Sequence, residues 1–467
     1  MAKYNQLTKK DLAFLVDIVG RDRAFLGESM SQDYGKDELG TVQKMPDIVL
    51  QVTGASEIQK VMQFAYSQKI PVTVRGSGTG LVGACVPLYG GIVLDTTKMN
   101  RILELDEENM CLTVEPGVLL MDIYEYVEPK GYFYAPDPGE KTATIGGNIA
   151  TNAGGMRAVR YGVTRDWVQA LEVVLPNGEI VELGRKVVKN ATGYSLLDLI
   201  IGSEGTLGII TKAVLKLTSK PVEAISILAP FNTLDEALNA VPKIIQSKSN
   251  PIAIEFFERV TVLFAEEYLG KKFPDTKSNY YLLLTFDGMT KEIVTHAYKE
   301  AADLLLDELG AQDVFIVDTD ERKESVWKAR GAFLEAIKGS TTQMDECDVV
   351  VPRSEIAEFL KFTYTLQEKH GLRIASFGHA GDGNLHIYLC RDDLSEEEFA
   401  RRLDLAFNDL YQQASLVGGL VSGEHGIGFA KKQYMEKTLG ETQIKLMQGI
   451  KDFFDPLHIL NPGKIVY

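Results

Sequence analysis

Histidine is scarce in this chain, with six in 467 residues. Two of the six close the stretch His379-Ala-Gly-Asp-Gly-Asn-Leu-His386, and a third follows an acid in Ser422-Gly-Glu-His-Gly-Ile-Gly428. On one continuous strand their odd separation would send His379 and His386 to opposite faces. The Gly-Asp-Gly-Asn between them is turn chemistry. It lets a strand over 373–378 end and another over 386–390 begin, so both imidazoles can converge. His379, His386 and Glu424 then offer two neutral imidazoles and a carboxylate, a donor set for a divalent ion with open positions. Asp382 is a candidate to orient one of the ligands. The same spacing also suits hydrogen-bonded core histidines beside a glycine turn, and spacing alone does not choose. His296, His370 and His458 have no partner motif and read as structural or surface residues.

The elements that must hold these residues fall into two characters. Before residue 219 the text is glycine-rich. A helix is expected over 8–19, capped by Thr8, with Leu12, Leu15, Val16 and Val19 on one face. A strand over 47–52 leads to Ser56-Glu-Ile-Gln59, read as a capping box opening a helix with Ile58, Val61, Met62 and Ala65 buried. Strands are expected at 71–75, 92–95 and 111–115, and a helix near 118–127. The segment Pro136 to Gly162 reads as loop, of a length that is uncommon unless it binds something. Asn177-Gly178 joins strands 168–175 and 179–183 in a hairpin, and a strand follows at 209–217. After Ser219-Lys-Pro221 strands alternate with longer helices. Strand 223–229, helix 234–246, strands 251–257 and 279–286, helix 290–308 and strand 313–317 give the split βαββαβ order of a ferredoxin-like domain. Helix 321–338, strand 347–351, helix 354–369, the two histidine strands, helix 395–416 and a last helix at 439–453 complete the chain.

Glycine clusters upstream suggest a second ligand. Gly76-Ser-Gly-Thr-Gly80 follows a strand, and its small residues let successive N–H groups converge on an anion. It matches neither the dinucleotide fingerprint nor the P-loop. With Asp137-Pro-Gly139, Ala143-Thr-Ile-Gly-Gly-Asn148, Thr151-Asn-Ala-Gly-Gly155 and Gly202-Ser-Glu-Gly-Thr-Leu-Gly208, one extended ligand touched by several loops explains the pattern better than independent turns.

These motifs resemble, in order, the FAD-binding domain of the vanillyl-alcohol oxidase (PCMH-type) flavoproteins. The His379/His386 and Gly423-Glu-His-Gly426 motifs resemble its D-lactate dehydrogenase and glycolate oxidase D-subunit branch, which includes D-2-hydroxyglutarate dehydrogenases. The resemblance runs from about residue 40 to Asn461-Pro-Gly-Lys464. It implies an α+β chain: a PCMH-type FAD-binding domain at 1–219, a ferredoxin-like cap at 220–417 that binds substrate, and a small helical segment at 418–467 returning to the FAD domain. It implies that Gly76, Ser77, Gly78, Thr79 and Gly80 hold the FAD pyrophosphate. Pro138, Thr142, Gly146, Gly147, Thr151 and Gly155 would line the isoalloxazine and adenosine, Glu204 and Ile210 the adenine–ribose end, and Asn461 would also bind cofactor. The first loop has no histidine and Cys85 lies outside it, so FAD is expected to be non-covalent. His379, His386 and Glu424 would ligate a divalent metal (Zn, Fe or Mn), His425 would act as base, and Arg330 of Trp327-Lys-Ala-Arg330 would bind a substrate carboxylate.

The implied reaction is metal-assisted oxidation of a small D-2-hydroxy acid to its 2-oxo acid, with hydride passing to flavin N5 and the hydroxyl proton to His425. Relatives acting on 2-hydroxyglutarate are expected to carry a cation two residues before Asp348. Glu346 stands there, which favours D-lactate or glycolate. No haem, cluster or NAD motif is present, so electrons are expected to go to a separate acceptor: an electron-transferring flavoprotein or iron–sulfur subunit foremost, or quinone. An electron-relay subunit with a vestigial substrate site, or a flavin-free metal hydrolase, would be the alternatives. A net charge of −16 argues against nucleic acid and against anionic lipid. The four cysteines, Cys85, Cys111, Cys347 and Cys390, show no CxxC and fit a reduced, cytoplasmic protein. No apolar run is long enough for a membrane span.

Overall fold

Helix Lys9–Val19 starts where Thr8 and Asp11 cap each other reciprocally, and it buries Leu15 and Val19. Helix Ala55–Gln68 buries the expected stripe of Ile58, Val61, Met62 and Ala65, the three larger side chains contributing about 1.5–3 kcal/mol each. It does not open with the expected Ser56 box. Gly54 is the cap residue, and Glu57 instead pairs with Arg23 at 2.7 Å and accepts the Thr53 amide. The computed structural model describes residues 4–466, which divide into two compact units. Met1–Gly154, Val163–Lys220 and Glu424–Tyr467 form one, and Gly155–Gly162 with Pro221–Gly423 form the other.

In the first unit, Ile48–Gln51, Ile92–Asp95 and Val72–Arg75 pair in parallel, with Ala24–Phe25 on the edge. A second sheet is antiparallel, in the order Ile102–Asp106, Cys111–Val114, Ile209–Lys216, Val168–Val174, Ile180–Gly184. The stretch read as continuous loop contains helices Ile145–Thr151 and Ala158–Tyr161. Thr144 caps the first, which outweighs the poor helix propensity of its two glycines.

The second unit is a mixed α/β domain built on one seven-stranded antiparallel sheet. Its order is Phe315–Val317, Glu223–Phe231, Tyr280–Gly288, Ala253–Glu258, Arg373–His379, Asn384–Cys390, Met344–Val350. The first four are the fourth, first, third and second strands of the split βαββαβ motif. Helix Arg259–Leu269, absent from the sequence expectation, is inserted after the second. The unit runs past the expected boundary at 417 to Gly423, because Leu420 and Val350 exchange both backbone hydrogen bonds. It also takes in Gly155–Gly162, expected in the FAD domain. There Arg160 Nη1 and the Tyr161 hydroxyl each donate to Asp287 at 2.7 Å. None of the four cysteines forms a disulfide. Among the described residues, no helix is long and apolar enough to cross a membrane.

Candidate active site

The sheet register of the second unit decides where the histidines point. His379 lies opposite Asn384, and His386 opposite both Phe377 and Asp348. Residues opposite one another, and residues two apart, share a face. The hairpin therefore carries both imidazoles on one side, with ring centroids 5.3 Å apart. Their ligand atoms lie within 4.8 Å of each other.

Each ring is backed by a carboxylate: Glu255, which sequence reasoning did not find, and Glu346, which it named only for its effect on a second substrate carboxylate. His379 Nδ1 is 2.6 Å from Glu255 Oε1, and His386 Nδ1 is 2.8 Å from Glu346 Oε1. Carboxylate–histidine pairs of this kind fix ring orientation in metal sites, and Nε2 is then the nitrogen that would ligate an ion. The residues present thus fit a divalent cation. The Asp382 carboxylate accepts the Asn384 amide and shapes the turn.

Arg330 sits on helix Asp320–Gly339 and is shared with the same network. Its Nε and Nη2 donate to Glu255 Oε2 at 2.8 and 2.6 Å, and its guanidinium lies 4.7 Å from the Phe377 ring centre. Glu255 is fully buried. Burial opposes its charge, but His379 and Arg330 outweigh burial and hold its carboxyl below the usual range. A single acid inside the apolar run Ile252-Ala-Ile-Glu-Phe-Phe257 was the signal available in the sequence.

In the first unit the Gly76–Gly80 loop follows strand Val72–Arg75. Among the described residues, the amides of Ser77, Gly78, Thr79 and Gly80 have no protein acceptor. Four successive unclaimed donors suit an anionic diphosphate. Buried Arg75 lies beneath them, and Gly78, at φ +80, has no room for a Cβ because Arg75 Nη2 would be 1.9 Å away. This loop therefore fits the FAD pyrophosphate by backbone alone.

Other expected cofactor residues are already engaged within the protein. The Gly146 amide donates to the Pro116 carbonyl and the Gly147 amide to Thr144 Oγ1. Thr142 Oγ1 donates to Glu140, the Thr151 hydroxyl to the Gly147 carbonyl, and the Pro138 carbonyl accepts from Lys141. Ile210 is buried in the antiparallel sheet. Asn461 donates to the carbonyls of Ala84 and Glu204 and accepts from Lys464. Glu204, expected near adenine and ribose, turns its carboxylate to the amides of Ile427 and Gly428. Burial pushes its pKa up to about 7 despite those bonds. Gly155 lies in the second unit, outside the set of first-unit loops.

Glu424 and His425 follow Gly423 directly and belong to the first unit, with His425 Nε2 4.0 Å from Glu424 Oε1. The remaining histidines pair locally with acids: His296 with Glu300, His370 with Asp409 and His458 with Asp452.

Comparison with known proteins extends these observations. A family model described as FAD linked oxidases, C-terminal domain, matches residues 220–465. One described as FAD binding domain matches residues 46–184. The D-lactate dehydrogenase of Anaerostipes hadrus is 45% identical over 471 aligned positions, covering 100% of this chain and 99% of that protein. Glycolate oxidase subunit GlcD of Bacillus subtilis (strain 168) is 40% identical, covering 92% of this chain and 91% of that one. The D-2-hydroxyglutarate dehydrogenase of Stutzerimonas stutzeri (strain A1501) is 31% identical, covering 92% and 93%. A solved structure of p-cresol methylhydroxylase with substrate bound aligns with a TM-score of 0.81 at 19% identity, covering 99% and 98% of the two chains. That likeness shows the fold. With relatives matched along nearly their whole length, the chain belongs to the FAD-linked oxidases and is an FAD-dependent oxidoreductase of that family.

Proposed function

We propose that the protein oxidises a small D-2-hydroxy acid, D-lactate foremost, to its 2-oxo acid. Non-covalent FAD, a divalent ion (Zn, Fe or Mn) and a separate electron-accepting protein complete the reaction. The observation that carries the reading is the shared face of Glu255, His379, His386 and Arg330: two carboxylate-backed imidazoles beside a guanidinium. The 45% identity to a D-lactate dehydrogenase supports it.

When bound, FAD supplies the two-electron acceptor and the divalent ion a Lewis acid for the substrate's hydroxyl. His379, His386 and Glu424 are the proposed ligands. Glu255 and Glu346 orient the two imidazoles. Glu255 covers the Nε/Nη2 edge of Arg330, so a substrate carboxylate would meet the guanidinium from its Nη1 side. His425 is proposed to take the hydroxyl proton, as imidazole suits a base working near neutral pH. Glu346, held by His386 on the same face, would repel a second carboxylate, which disfavours 2-hydroxyglutarate. Glycolate is the second reading, favoured by the match to a glycolate oxidase subunit. The electron acceptor is proposed to be an electron-transferring flavoprotein or an iron–sulfur subunit.

Comparing kcat/KM for D-lactate, glycolate and D-2-hydroxyglutarate with an artificial acceptor tests the substrate. D-lactate should rank first and the dicarboxylate last. A higher value for D-2-hydroxyglutarate would contradict the role given to Glu346. Acid precipitation should leave the flavin in the supernatant; flavin in the pellet would mean a covalent bond.

A further inference from the structure

We propose that two buried carboxylates, Asp348 and Glu204, are positioning residues: Asp348 holds Ser422 and Gly423 just before Glu424, and Glu204 holds Ile427 and Gly428 just after Gly426, so each orients the backbone on its own side of Glu424 and His425. The inference rests on the ligand and base roles proposed above for those two residues.

At the leading end, Asp348 is fully buried in strand Met344–Val350. Its Oδ2 accepts from the Ser422 hydroxyl at 2.7 Å and from the Gly423 amide at 3.1 Å. Its Oδ1 accepts from Asn384 Nδ2 at 2.7 Å. Asn384 faces His379 and Asp348 faces His386 across the sheet. The carboxylate that holds the loop is therefore built into the register that aims the two histidines. Gly423 packs against Asn384 so closely that a Cβ would stand 2.3 Å from its amide nitrogen.

At the trailing end, Glu204 accepts from the Ile427 and Gly428 amides, one per oxygen, each at 2.7 Å. Glu204 is itself fixed. Its amide donates to the Ala150 carbonyl at 2.8 Å, and its carbonyl accepts from Asn461 at 2.7 Å. A Cβ on Gly426, at φ +89, would stand 2.7 Å from Glu204 Oε1. Each carboxylate uses both oxygens as acceptors; an amide in its place would offer one acceptor and turn a donor toward the other partner.

The test uses the full-length, FAD-loaded protein and the variants Asp348→Asn, Glu204→Gln and Ser422→Ala. Measured quantities are kcat and KM for D-lactate, Zn²⁺ affinity after metal stripping, flavin content and thermal midpoint. Asp348→Asn and Glu204→Gln should each lower kcat and weaken Zn²⁺ binding by about 10–100-fold, with KM and flavin content near wild type. Ser422→Ala, which removes one partly exposed hydroxyl, should do the same by about tenfold and leave the thermal midpoint unchanged. If a carboxylate variant fails to fold, Ser422→Ala decides. Wild-type kcat and Zn²⁺ affinity in folded variants would overturn the grip. His425→Ala separates the two levels. If it is inactive while the grip variants behave as wild type, only the grip is wrong; if it is fully active, the functional reading itself fails.

Discussion

The histidine hairpin and the Gly76–Gly80 loop are opposite solutions to holding a ligand. The hairpin uses side chains on a rigid sheet, each ring braced by a buried or half-buried acid. The loop uses almost no side chains; among the described residues its four amides have no protein acceptor and stay available to a ligand. A side-chain site can be dismantled one ligand or one brace at a time. A backbone site is damaged mainly by adding atoms. The two regions should therefore fail separately, one losing metal while keeping flavin, the other the reverse.

The largest effect expected leaves both regions intact. His425→Ala should reduce kcat about 10²–10⁴-fold with flavin and metal contents unchanged, read by steady-state kinetics, flavin absorbance and metal analysis. His386→Ala should abolish stoichiometric metal and lower activity at least about 100-fold while the flavin spectrum stays as in wild type. Loss of flavin in that variant would mean the regions are not independent. Gly78→Ala should do the converse. It puts a Cβ at a positive φ and against Arg75, strain of about 1–2 kcal/mol before any clash. Apparent FAD affinity should drop about tenfold or more by titration of the apoprotein, with metal affinity unchanged. Glu255→Gln should give the smallest change, about tenfold in metal affinity. It should also raise KM for D-lactate, because the same carboxylate holds Arg330.

How visible each region was in the sequence follows from the same contrast. His379, His386 and Glu424-His425 stood out because rare, chemically active residues sat among glycines. The first glycine loop stood out because it followed a strand. Glu255 did not, since its partners come together only through strand order: Ala253–Glu258 pairs with Arg373–His379 from far along the chain. Asp348 was noticed only as a reference point for Glu346; its grip on Ser422 depends on register. The helix at 145–151 was hidden by glycines that pack against Pro116 rather than flex. Helix Arg259–Leu269 was hidden by β-branched residues, and it forms because Val262 and Ala265 bury against the sheet. Glu204 was assigned from a motif, which gives the position of a residue but not the direction of its carboxylate; that carboxylate faces the Ile427 and Gly428 amides.

The most direct measurement is anaerobic mixing of D-lactate with the FAD-loaded protein before and after removal of metal, following flavin absorbance. The prediction is rapid bleaching with metal, an unchanged oxidised spectrum without it, and recovery when a divalent ion is restored. Full-rate bleaching of the metal-free protein would contradict the role given to the histidine hairpin, and no bleaching under any condition would contradict the proposed reaction.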